Sequence, residues 1–426
     1  MANVKSVFDH EEFKPYRQRY TVRRERALRR RRYYDGSIYD DGQFKIAHKL
    51  YSQTKGLFAL LARAVDLDVA FVPGMMDPWG LGEDVPQAVR AAQALLYEWS
   101  SWDVEGDDWL EDGATTGEAV IKVVPDEGER LVRLQRLKPE IALLLDKHWQ
   151  RERGAYTPLG LIVDPEARDS HGEAYEYAEA ITPAEVRTYR NGAPWGYDDN
   201  PDRYPNPLNF VPMVWAKNDS ECRPTFAKAQ PQLVSVNELA SYLADIIGRH
   251  AEPQWAAKGV EEGEMVKSGE NMWYLPAGAD IEAILATIDI EGVLNFIREV
   301  KAETKANLPE LAFDDLRAKD QIATETLEVQ LVELDAKIWK MRRRYDSALV
   351  DAHRMAATAG AIYGIRELAP LLQMHSFDFR RPVRPVSRLE EIRQEEAELA
   401  LEAQKSIYRG EGLTAAAAPP AEAVLA

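Results

Sequence analysis

The sequence has a single cysteine, Cys222, in 426 residues. That excludes an intrachain disulfide and any cysteine-rich metal centre, and it fits a reducing cytoplasm. Long apolar runs are also missing. The longest candidate, Leu57 to Val72, is interrupted by Arg63, Asp66 and Asp68 and stays short of the ~18 residues a bilayer span requires. The N-terminus has no apolar signal core; it is polar and then basic. Histidine is scarce, with seven at positions 10, 48, 148, 171, 250, 353 and 375. None falls at metal-ligand spacing, so each reads as a satisfied surface or core residue. No G-x-S-x-G elbow and no H-E-x-x-H helix occurs. A phosphate loop needs glycine backbone running into Gly-Lys-Ser/Thr. The nearest approach, Gly263 to Ser268, has Val266 in place of the second glycine. The expectation is a chain without cofactor, metal or catalytic constellation, and therefore not an enzyme.

Carboxylates are abundant: 71 acids against 53 Lys and Arg give a net charge of −18. With so many, any two could be paired as an acid and a base, and the pairing has no specificity. Asp107, Asp108, Glu111 and Asp112 read as a solvated cluster at a helix start, or less readily as a hard-cation site. The ten tryptophans read as core and interface anchors. Such acidity argues against a surface that grips nucleic acid all over. The charge is uneven, however: residues 1–32 carry +7 and the rest −25. The basic stretch reads as a solvated helix face or as a contact for nucleic acid or an acidic partner.

Along the chain, residues 23–34 read as helix stopping at Asp35-Gly36. Further helices are expected from Phe44 to Arg63 and from Val85 to Trp99. From Trp109 to about Tyr197, short alternating runs such as Ala119 to Val124 are separated by turn formers and predict a mostly antiparallel sheet. Helix returns from Gln232 to Arg249, with Pro231 suited to the first turn. Residues 251–285 form a glycine-containing, non-helical insert. Helix resumes from Asp289, a good cap, to Ala306. Leu327, Leu331, Leu334, Ile338, Met341, Tyr345, Ala348, Ala352, Met355 and Ala359 then recur at helical spacing, predicting one helix of ~33 residues and ~50 Å. This seam reads as too large for a monomer to hide. A Pro-rich link, Arg380 to Pro385, precedes a charged helix, Leu389 to Ile407. Residues from Thr414 onward read as a flexible tail.

Several segments resemble the portal (head-to-tail connector) family of tailed bacteriophages, in its Siphovirus-like branch. They are Arg32-Tyr33-Tyr34-Asp35-Gly36, Asp112-Gly113-Ala114 with Gly117 to Val123, and Leu134 to Glu140. Later come Phe210-Val211-Pro212, the turn at Asp219-Ser220, and the order helix, insert, helix, loop, long helix. The chain departs from the family in a short insert, in Lys319 to Thr324 where a Ser-Gly-rich stretch is usual, and in a small C-terminal part. The resemblance implies an α+β, portal-like fold. Its parts are a wing of N-terminal helices and antiparallel sheet (1–225), a first stem helix (226–250), a clip (251–288) and a second stem helix (289–306). A tunnel loop (307–323), a long wing helix with its following segment (324–378), a small crown helix (379–413) and the tail (414–426) complete it.

It also implies a function: a ring, by family habit of twelve copies, at one capsid vertex of the virion, assembled in the host cytoplasm. DNA passes through it during packaging and ejection without sequence-specific contact. Large terminase, a head-tail adaptor, and the major capsid and scaffolding proteins would be partners; no membrane is involved. On the second stem helix, Val293, Phe296, Ile297 and Val300 are expected to face the first. Glu291, Asn295, Arg298 and Ala302 would line the channel. Glu299 and Glu303 on one flank would meet Lys301 and Lys305 of the next subunit, unless these are ordinary solvated charges. Asp314, Asp315, Arg317, Lys319 and Asp320 fall in the tunnel loop. Trp255, Lys258, Lys267, Trp273 and Tyr274 fall in the clip, to dock the motor or pack against neighbouring clips. The alternatives are another phage structural or adaptor protein and, less readily, an acidic glycoside hydrolase.

Overall fold

A computed structural model of the protein describes residues 6–40, 59–74, 79–82, 84–145, 158–196, 201–251, 254–258, 266–268, 272–274, 280–284, 290–311 and 324–375. The class is α+β, with helices packed on antiparallel sheets. Helix α1 (Lys14–Tyr34) has Pro15 in its first turn and stops at Asp35, ahead of Gly36. Helices α2 (Leu60–Phe71), α3 (Gln87–Ser100) and α4 (Trp102–Thr116) follow. The helix expected to end at Arg63 instead runs on to Phe71. Leu61, Ala64, Val65 and Phe71 are buried at helical spacing, so burial of that face outweighs the interrupting charges. The sheet region also begins later than the texture at Trp109 suggests: α4 continues to Thr116, and Asp112-Gly113-Ala114 is helical.

Strand β1 (Glu118–Asp126) lies between β2 (Leu131–Leu137) and β9 (Met213–Lys217), antiparallel to both. A second antiparallel sheet orders β3 (Ala142–Leu145), β4 (Leu159–Arg168), β5 (Ala174–Ile181), β6 (Glu185–Arg190) and β7 (Ala193–Pro194), with β8 (Arg203–Pro205) also against β6. The strand period of two separates the layers. On β1, Ala119, Ile121 and Val123 join the helical core, while Val120, with Met213 of β9, faces Ala142 and Ile162 of the second sheet. On the far face of that sheet, Leu143, Leu145, Leu161 and Val163 pack on Phe8, Phe13 and Tyr20. The order is thus helices, three-stranded sheet, larger sheet, N-terminal segment.

Helix α1 keeps an exposed side with Lys14, Arg17 and Arg29, but its other arginines are drawn onto the body. Arg23 is buried and pairs with buried Glu118 at 3.1 Å, and Arg26 reaches the same carboxylate at 3.0 Å. Arg31 pairs with Asp112 at 2.8 Å and Glu140 at 3.2 Å. Arg30 donates to the carbonyls of Thr116 and Cys222. Much of the positive charge that stands out in the sequence is spent in fixing α1 to α4 and β1. Asp112 lies well inside α4, and is fully buried between Arg31 and Arg136. This corrects the reading of its cluster as a solvated helix start.

The insert and the later helices complete the chain. Helix α5 (Gln230–Ala251) precedes strands β10 (Gln254–Lys258), β11 (Val266–Ser268), β12 (Met272–Tyr274) and β13 (Asp280–Ile284). Helix α6 (Ile290–Ala306), helix α7 (Thr324–Ile362, 39 residues) and a 3-10 segment (Arg366–Gln373) follow. Pro231 sits in the first turn of α5, as expected. Among the described side chains, the seam of α7 is not left for a partner from Leu334 onward: Leu334, Ile338, Met341, Tyr345, Ala348, Ala352 and Ala359 are buried in the chain's own core. Tyr345 wedges against Gly113, where an added Cβ would overlap the phenol, and its hydroxyl donates to Asn218 at 2.7 Å. Trp79, Trp102 and Trp109 are buried beside it, with the Trp109 and Tyr345 ring centroids 5.0 Å apart. At least these three tryptophans are core anchors.

Candidate functional site: the two-helix stem and its junction with the body

Helices α5 and α6 flank the strand insert. β10 and β13 pair antiparallel, from Gln254 opposite Ile284 to Lys258 opposite Asp280. The helices that enter and leave this ladder therefore run side by side in opposite directions. Their contact is a narrow seam in which Val236, Leu243 and Ile297 are buried and Leu239, Ala240, Val293 and Val300 are half-buried. Three of the four residues expected to face α5 do so. Phe296 does not: it is 51% exposed, and Leu294 beside it is 37% exposed. At 100° per residue, 293, 297 and 300 share one face, and a single partner helix covers only that stripe.

The remaining expected positions of α6 are on its surface. Glu291, Asn295, Arg298 and Ala302 are exposed, and Arg298 donates to Asn295 Oδ1 at 2.8 Å. Glu299 and Glu303 are exposed, whereas Lys301 and Lys305 are half-buried. In the insert, Trp255 and Lys258 lie on β10, Lys267 on β11, and Trp273 and Tyr274 on β12. Val266 is opposite Tyr274 and Lys267 opposite Trp273 in an antiparallel ladder. Asp314, Asp315, Arg317, Lys319 and Asp320 lie outside the described residues, as do the expected crown helix and tail.

The junction is where α6 returns to the body. Leu308 and Leu311 enter the main core, and Asn237 of α5 donates to the Tyr39 hydroxyl at 3.0 Å. Between them sits a feature the sequence reading missed. Lys337 of α7 bridges Asp68 of α2 at 3.1 Å and Glu310 at 2.8 Å, and both carboxylates are fully buried. Burial first, and the Asp68 carboxylate second, push the Glu310 carboxyl up to about 7, against the pull of Lys337. Burial pulls the Lys337 ammonium down, but the two carboxylates outweigh it and hold it above its ordinary range. The signal in the sequence was Asp68, one of three charges in the mainly apolar stretch ending at Val72. Its partners lie more than 240 residues away, so spacing alone could not find them.

Lys337 also lines a cleft of about 560 Å³ between the Asn218–Lys228 loop, the end of α6 and α7, with Arg223, Lys228, Glu333 and Lys340 among its walls. Among the described residues no group of three or more His, Cys, Asp or Glu is arranged to hold a metal ion. Among them, too, no helix is long and apolar enough to cross a membrane. The one cysteine is buried against α1, and burial raises its thiol above the usual range. No known protein family matches this chain, and no curated protein does.

Proposed function

We propose that the chain is a structural subunit of an assembly, and in particular a bacteriophage portal protein. The reading rests on one observation. Two antiparallel stem helices separated by a strand insert, then a helix of 39 residues, are rooted in an α+β body. In this order they match the arrangement on which the resemblance is based. The stem supports it further. Among the described residues Leu294 and Phe296 stay exposed beside the seam, and apolar surface of that kind suits contact with a neighbouring copy.

Under this proposal, copies associate head to tail and close into a ring, since heterologous contacts that close by rotation do so. DNA passes through the ring at one capsid vertex. The acidity of the chain outside its N-terminal stretch fits a conduit, because each lysine–phosphate contact releases counterions and adds affinity that would hinder sliding. The insert would meet the terminase motor and later the tail adaptor, and the motor would supply the energy. Negative-stain electron microscopy of the purified full chain, with native mass spectrometry, tests the proposal. Rings with a central hole are expected; monomers alone at micromolar concentration and moderate salt would overturn it.

A further inference from the structure

We propose that Asp68, Lys337 and Glu310 form a one-proton site that sets how firmly the chain leaving α6 is held to the body. The three side chains come from three separate elements: α2, α7 and the turn after α6. Two fully buried carboxylates share one ammonium, so the cluster carries a net charge of −1 when all three are ionised. Uncompensated charge in a low-dielectric interior is costly, and the cheapest relief is to bind a proton. Glu310 is the group that takes it: it is fully buried against Lys337, and burial and the Asp68 carboxylate both favour its neutral form. It opens the helical turn after Asn307–Pro309, flanked by Leu308 and Leu311 in the core. Lys337 borders the 560 Å³ cleft, which gives the site a route to solvent.

Among the described residues, the charged side chains nearest the site are engaged elsewhere or line the outer cleft. On α7, Arg342 is committed to the carbonyls of Phe71 and Val72 at 2.7 and 2.9 Å, and Glu333 and Lys340 line the outer cleft. Tyr345, also on α7, feels the Asp68 carboxylate, and burial pushes its hydroxyl far above the usual range. Asp68 is the titratable group of α2 that faces the site, and its Oδ1 has no hydrogen-bond partner among the described residues.

The direction follows from linkage. The Glu310 carboxyl titrates at about 7 in the folded chain, against an ordinary value of 4.5. The folded form therefore holds its proton longer than the open form. Its contribution to stability is complete below pH 4.5 and is lost as pH rises to about 7. The turn 307–311 should thus be held tightly in mild acid and more loosely above neutrality. The inference concerns this chain whether or not it forms a ring. If the portal proposal is right, the same proton bears on the start of the tunnel loop.

Amide hydrogen exchange of residues 303–311 in the full chain, corrected for intrinsic rates, measures the effect between pH 5.5 and 8.5. In the wild type the opening equilibrium should grow roughly tenfold from pH 6 to pH 8, the change expected for a carboxyl at about 7 when folded and 4.5 when open. Glu310→Gln, nearly the same shape, should flatten that dependence and protect the segment at pH 8. Asp68→Asn should flatten it independently, by removing the second negative charge. Infrared difference spectra across the same range should show a protonated-carboxyl band that Glu310→Gln removes. A flat wild-type profile, or an unchanged slope in both variants, would overturn the inference. A monomeric chain with the expected slope would sink only the portal proposal.

Discussion

The body and the α5–α6 helix pair are built from the same kinds of element, yet they place their charge and apolar surface differently. In the body, Arg23 with Glu118 and Arg31 with Asp112 are drawn inward as ion pairs, and α7 buries its apolar side from Leu334 to Ala359 within the chain. In the α5–α6 pair, Val236, Leu243 and Ile297 are buried between the helices among the described residues, while Phe296, Glu299 and Glu303 of α6 stay outside. Apolar surface left in solvent, as at Phe296 and Leu294, is surface available for contact.

The sharpest way to break that comparison is to strip the body of one buried charge. Glu118→Ala leaves Arg23 buried without its carboxylate and removes a partner of Arg26. Losing one side of a buried pair costs about 3–5 kcal/mol, and the urea unfolding midpoint should fall accordingly. A loss below about 1 kcal/mol would mean that these arginines are ordinary surface charges.

A second test compares neighbours on α6. Ile297→Ala empties the seam, and should cost about 2 kcal/mol or more of stability. Phe296→Ala should stay within about 0.5 kcal/mol and, under the ring proposal, lower the fraction of assembled protein in native mass spectra. Equal stability losses for both would show that Phe296 is packed in solution, and the distinction between covered and contact faces would fail.

The smallest effect lies in the flanking charges. Exposed pairs contribute only ~0.2–1 kcal/mol each, so single substitutions of Glu299, Lys301, Glu303 or Lys305 should change little. In a ring, like charges would meet at every interface. Glu299→Lys with Glu303→Lys should therefore impair closure, most visibly at low salt, where repulsion is least screened. Adding Lys301→Glu with Lys305→Glu should restore it. Assembly of the two-site variant at the wild-type level in low salt would remove these residues from the interface.

By itself the sequence determined the local elements. Helical spacing announced α7 and α3, alternation announced β1 and β2, and Pro231 with Gly36 marked boundaries, because each depends on neighbours within a few residues. The candidate stem was legible for the same reason: the stripe Val293, Ile297 and Val300 is a property of one helix. Tertiary structure alone decided what the long-range partners would be. It turned the arginines of α1 into internal anchors and carried α4 through Asp112-Gly113-Ala114. It also hid the α7 seam within one chain and left Phe296 outside. The joining of Asp68, Glu310 and Lys337 belongs to the same category. A charge shows in a sequence only as a charge, and whether it is solvated, paired or stranded depends on the dielectric and on partners that the fold supplies from far away in the chain.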